Sequence, residues 1–148
     1  MRAIDYIVIH CSASPFGRDD TIEDVRAWHV LPKERGGPGF RDVGYHFVIR
    51  RDGTLELGRP LDQIGAHVSG WNSHSIGICY IGGLGPRGEP ADTRTPEQVT
   101  TMVRLLRELQ RYFPRAKIRG HRDFPGVRKA CPCFDVRSWW EAVDQEAA

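Results

Sequence analysis

Long apolar runs are missing from this 148-residue chain. None approaches the roughly 20 residues that a membrane-spanning helix needs, so no membrane association is expected. The start, Met1-Arg2-Ala3-Ile4-Asp5, lacks the apolar stretch and small-residue cleavage site of a secretory signal. Synthesis and folding in a cytosol follow as the expectation. Cysteine is scarce as well: there are four, and Cys131 and Cys133 stand too close in sequence to staple anything large. In a reducing compartment they read as thiols or metal ligands rather than as a disulfide framework. Lysine is rarer still, occurring only at Lys33, Lys117 and Lys129, while every other basic side chain is arginine or histidine. A lysine ammonium changes its pKa readily on burial whereas a guanidinium stays charged, so a lysine beside a candidate ligand stands out here. A dominant charge of one sign is also lacking. The formal net charge of +2 leaves no strong electrostatic footprint for nucleic acid, though it suits an anionic polymer. There is no internal repeat, low-complexity tract or linker, and 40% hydrophobic residues fit one compact domain over 1–148.

What is present alternates between strand and helix signals. Ile4-Asp5-Tyr6-Ile7-Val8-Ile9-His10 is β-branched and almost continuously apolar, which predicts a central strand covered on both faces, with His10 at its carboxyl end. Thr21-Ile22-Glu23-Asp24 reads as a capping box opening a helix through about His29, with Val25 and Trp28 or His29 turned inward. Gly36-Gly37-Pro38-Gly39-Phe40 is too rich in glycine and proline for regular structure. Arg51-Asp52-Gly53 between the β-prone stretches Gly44–Arg50 and Thr54–Leu57 predicts a hairpin, and alternation puts Tyr45 and His46 on opposite faces. Ser75–Ile81 reads as another buried strand. Thr95, Pro96 and Gln98 open the clearest helix, whose apolar residues Val99, Met102, Val103, Leu106 and Leu109 recur at helical spacing up to Phe113-Pro114. A short strand, Ala116–Gly120, delivers His121, and Asp135 caps a final helix carrying Trp139 and Trp140. The fold class expected is α/β, with a mixed central sheet flanked by helices, since a hairpin interrupts the alternation.

Soft-metal ligand candidates lie at both ends: His10-Cys11-Ser12-Ala13, then Gly120-His121-Arg122-Asp123 and Lys129-Ala130-Cys131-Pro132. A lone histidine is usually a surface or hydrogen-bonded core residue, but both of these fall at predicted strand ends, where open α/β sheets place ligands. A thiolate with two imidazoles favours zinc over magnesium or calcium. Three side chains on a tetrahedral zinc leave the fourth position to water, the mark of a catalytic site. No His-Glu-x-x-His motif and no pair of carboxylates suited to a glycosidase is found. By strand alternation His46 packs behind the sheet, and Cys11, facing away from His10, reads as a small buried hydrophobe. His29 and His74 are taken as surface or supporting residues.

Several segments in order carry a resemblance: His10-Cys11-Ser12-Ala13, Asp42–Phe47, Arg51-Asp52-Gly53-Thr54, Gly65-Ala66-His67, Trp71–Ile78 and Lys129–Asp135. Together they resemble the zinc-dependent N-acetylmuramoyl-L-alanine amidases of the phage lysozyme type, which share their fold with peptidoglycan recognition proteins. The resemblance implies one zinc ion per chain on His10, His121 and Cys131, with Tyr45 and Lys129 beside it as catalytic groups. It implies hydrolysis of the amide joining N-acetylmuramic acid to L-alanine in bacterial peptidoglycan, by a monomeric phage or prophage endolysin made in the host cytoplasm and acting on the wall after release. It places His67, Trp71 and Asn72 in the segment that lines the muropeptide groove of recognition proteins. One phage lysozyme of this type also binds its phage's RNA polymerase, so that partner is implied by resemblance alone. A noncatalytic muropeptide-binding protein is the alternative, but recognition-only members generally lack the cysteine ligand. Cys133 departs from the pattern, standing where family members usually carry serine or glycine, and as a thiol it competes on paper with Cys131. The loop from His121 to Cys131 is also longer than in the phage enzymes.

Overall fold

The apolar run near the start becomes β1 (Tyr6–Cys11), and it does lie inside the sheet, hydrogen-bonded on both sides. A computed structural model describes residues 1–146. In chain order the elements that follow are α1 (Ile22–Val30), β2 (Phe47–Ile49), β3 (Leu55–Leu57), β4 (Ser75–Tyr80), α2 (Pro96–Tyr112), β5 (Lys117–Gly120) and α3 (Val136–Glu146). Short 3₁₀ turns occupy Lys33–Arg35, Asn72–His74 and His121–Asp123. The strands form one five-stranded sheet in the order β3-β2-β4-β1-β5. All neighbours are parallel except the β2–β3 hairpin, which is the mixed sheet expected.

Strand periodicity distributes the core. Ile7 and Ile9 face the layer formed by α2 and α3, where Met102, Leu106, Leu109, Val136 and Trp140 are buried with Ile76, Ile78 and Ile118. Each such aliphatic side chain removed from water contributes about 1.5–3 kcal/mol. The intervening residues point the other way: Val8 packs with Val68 and Phe124, and α1 sends Ile22 and Val25 onto Val48 and Cys79. His10 shares the face of Val8 by the same alternation, which directs it away from the α2–α3 layer.

Both predicted capping boxes form. Thr21 and Asp24 exchange side-chain and backbone bonds at the start of α1, and Thr95 and Gln98 do so at α2. Gln98 does more than cap, because its buried Nε2 also donates to the carbonyls of Ile49 and Ile81 at 3.1 and 2.9 Å. This ties the helix start to the ends of two neighbouring strands. The hairpin turns at Gly53, whose φ of 89° lies in the left-handed region that glycine enters freely. Its first strand is shorter than Gly44–Arg50. The backbone of Gly44, Tyr45 and His46 divides its partners among Ala66, Arg59, Gly58 and Gly77 instead of following one ladder. No described helix is long and apolar enough to cross a membrane.

Candidate active site

Adjacent parallel strands bring the two histidines together. β1 and β5 pair with Ile9 opposite Gly120, so the next residue on each, His10 and His121, emerges at the same carboxyl edge with ring centroids 4.5 Å apart. Cys131 comes from a turn held at several points. Its carbonyl accepts from Arg122 N–H at 3.0 Å, the Cys133 N–H donates to the Ala130 carbonyl at 2.7 Å, and the Tyr80 hydroxyl donates to the Pro132 carbonyl at 2.6 Å. Pro132 covers Gly120, where an added Cβ would stand 2.9 Å from the proline Cδ. One donor atom from each of His10, His121 and Cys131 then lies within 4.8 Å of the other two.

The electrostatics match that donor set. His10 is buried, and desolvation, reinforced by His67, His121, His29 and Lys129, holds its pKa well below the ordinary imidazole value. It is neutral at neutral pH, the state in which imidazole ligates a metal. His121 is shifted down as well, by burial and then by Lys129. The Cys131 sulfur accepts the backbone N–H of Cys11 at 3.2 Å. Two neutral imidazoles and a hydrogen-bonded cysteine sulfur at this spacing fit zinc.

A cavity of about 290 Å³ opens over the three residues, with Tyr45, Lys129, His67 and His29 in its walls. The Tyr45 ring lies 5.0 Å from that of His10. Burial, and then the sulfurs of Cys79, Cys131 and Cys11, push its phenol well above the ordinary value. Lys129 is exposed on the rim. An adjoining depression of about 390 Å³ shares His67, His121 and Lys129 and continues past Phe40, Ser69 and Asn72.

The structure thus gathers His10, His121, Cys131, Tyr45 and Lys129, with His67 beside them and Asn72 in the adjoining depression. Trp71 stands apart from both cavities. Its ring packs edge-on against Tyr6 and Phe124 at 5.5 and 5.3 Å. Asn72 spends its Oδ1 on the backbone N–H groups of His67 and Val68, at 2.9 and 2.8 Å. His46 is buried outside the cavity, accepting from Gly77 N–H through Nδ1 and donating to the Gln63 carbonyl through Nε2. The Cys11 side chain joins the α2–α3 core as expected, but its backbone N–H serves the site. Cys133 turns its sulfur to that of Cys11, 3.8 Å away, and adopts a φ of 72°, a conformation that favours glycine. His74 contacts Asp5 at 3.1 Å. His29, expected at the surface or in a supporting role, stands in the cavity wall with Nδ1 accepting the Gly44 N–H at 2.8 Å. Its helical spacing of four from buried Val25 was the available signal.

A parallel-strand edge and the loops beside it bring two imidazoles, a cysteine sulfur, a phenol and a lysine to one open cavity, a donor set that could hold a metal ion. The family profile described as N-acetylmuramoyl-L-alanine amidase matches residues 1–134. An endolysin of Klebsiella phage KP32 is 44% identical over 135 residues, covering 91% of this chain and 84% of that protein. An endolysin of Escherichia phage T7 is 40% identical over 140 residues, covering 95% and 87%. Among solved structures, the N-acetylmuramoyl-L-alanine amidase LysC from Clostridium intestinale URNW superposes with a TM-score of 0.76 at 26% identity, over 98% of this chain and 87% of that one. The chain belongs to the N-acetylmuramoyl-L-alanine amidase family. It is an enzyme, a peptidoglycan amidase of the endolysin kind.

Proposed function

We propose that this amidase works with one zinc ion held by His10, His121 and Cys131, and that its substrate is the lactyl–L-alanine amide of the bacterial wall. The observation that carries the reading is the convergence of those three donors within 4.8 Å at the floor of an open cavity. Zinc in such a site supplies Lewis acidity and lowers the pKa of water toward about 7. The remaining work falls to the chain. Lys129 reaches the cavity from its rim, and its ammonium stabilises the negative charge that develops on the scissile carbonyl oxygen. Tyr45, kept protonated by its surroundings, donates its phenolic proton toward the oxyanion or the departing amine. The adjoining depression with His67 and Asn72 in its wall receives the muropeptide, while Trp71 braces that wall from behind. Cys131 supports catalysis over mere recognition, because its sulfur faces His10 and accepts a backbone hydrogen bond.

The test pairs metal analysis with product analysis. Purified protein is expected to hold one zinc per chain and to release stem peptides with a new L-alanine amino terminus from peptidoglycan, and a chelator should abolish release. A protein that binds the wall yet releases nothing when supplied with zinc would sink the reading.

A further inference from the structure

His67 enters the cavity wall with both ring nitrogens already engaged. Its Nδ1 lies 2.9 Å from His10 Nε2, and its Nε2 lies 3.2 Å from the Ser75 hydroxyl. The position of the ring is built into the backbone around it. A Cβ added at Gly77 would stand 2.7 Å from the His67 Cγ, and one at Gly65 would stand 2.9 Å from its Cδ2. Both distances are shorter than packed carbon atoms tolerate, so two glycines make the slot that the imidazole fills. Asn72 holds the backbone at the same point through the N–H groups of His67 and Val68.

The other nitrogen of His10 faces the donor cluster, with Nδ1 3.9 Å from the Cys131 sulfur. A neutral imidazole offers a lone pair at Nδ1 only when its proton sits on Nε2, and the hydrogen bond at Nε2 decides that tautomer. His67 supplies the acceptor there. Its own proton is then on Nε2 and is donated to Ser75 Oγ, giving a relay from His10 through His67 to a buried hydroxyl on β4. A histidine so engaged has no free polar atom for a substrate.

We propose that His67 is a positioning residue that fixes the tautomer and aim of His10, with Ser75 completing the relay, and that it presents only carbon to the muropeptide. This rests on the zinc-centre reading above, and the experiment separates the two. Zinc affinity of the full chain is measured by competition with a chromophoric chelator, and cobalt(II) absorption is recorded at saturation, for the wild type, His67→Leu, His67→Asn and Ser75→Ala. His67→Leu is expected to weaken zinc binding ~10- to 100-fold, the usual cost of losing such a partner, and to shift the cobalt bands. His67→Asn places an amide oxygen where Nδ1 stood and should recover most of the affinity, and Ser75→Ala should weaken it a few-fold. At saturating zinc, the remaining loss in His67→Leu should fall on kcat more than on KM for a muropeptide. Wild-type zinc affinity in His67→Leu with a raised KM would overturn the inference and leave the zinc centre intact. Should His67→Leu fail to fold, unchanged affinity in Ser75→Ala overturns it instead. A wild-type chain that binds no zinc ends both.

Discussion

His10 and Cys131 reach one cavity from opposite kinds of backbone. His10 is buried on a strand hydrogen-bonded to β4 and flanked by β5, its side chain held by His67. Cys131 sits in a turn without regular structure, tethered by the Arg122 and Cys11 N–H groups and by Tyr80 through Pro132. The strand sets the direction of its side chain through the pleat, so the position of His10 is inherited from the core. The turn sets its ligand through a few individual contacts, each worth about 0.5–1.5 kcal/mol. Site geometry is therefore rigid on one side and assembled contact by contact on the other. Tyr45 and Lys129 repeat the contrast, one desolvated beside the sheet and the other exposed on the rim.

Removing ligands tests whether the two sides are equivalent once the metal binds. His10→Ala, His121→Ala and Cys131→Ala are each expected to lose zinc and at least ~1000-fold in activity, the scale of Lewis-acid assistance. Tyr45→Phe and Lys129→Ala should keep zinc and lose ~100- to 1000-fold in kcat. Zinc analysis beside turnover separates the groups, and loss of zinc from Lys129→Ala would refute its assignment to the rim.

Proton uptake probes the sheet side through His46. Burial, with Arg2 and Arg59 nearby, lowers the His46 pKa from 6.5 to about 4 in the folded chain, against the opposing bond to Gln63. Between those values the unfolded chain binds the proton and the folded chain does not, so the His46 contribution to stability falls as pH drops from 6.5 to 4 and levels off below. The loss is on the order of 3 kcal/mol. Urea unfolding across that window should show it, and a His46→Asn variant should flatten the profile by that share.

The smallest effect belongs to the turn. Cys133→Ser should leave zinc content unchanged and shift stability by less than ~1 kcal/mol, because the Cys133 sulfur contacts only Cys11 among the cysteines and stands outside the donor cluster. An empty site in Cys133→Ser alongside a filled one in Cys131→Ser would reverse the ligand assignment.

Features that short-range physics controls were legible in the chain alone. Ile7-Val8-Ile9 could only be a covered strand, the Thr21 and Thr95 capping boxes placed two helix starts, and Asp52-Gly53 placed the turn, since pleat, cap and turn all act within about four residues. The ordered motifs also carried the donor trio and its two companions. Long-range packing set the order β3-β2-β4-β1-β5, the meeting of Cys131 with His10 across more than a hundred residues, the packing of Trp71 behind the wall and the contact between His67 and His10. These depend on which apolar faces are buried together, and on glycines whose missing side chains admit a neighbour from a distant segment. No local pattern in the chain encodes that neighbour.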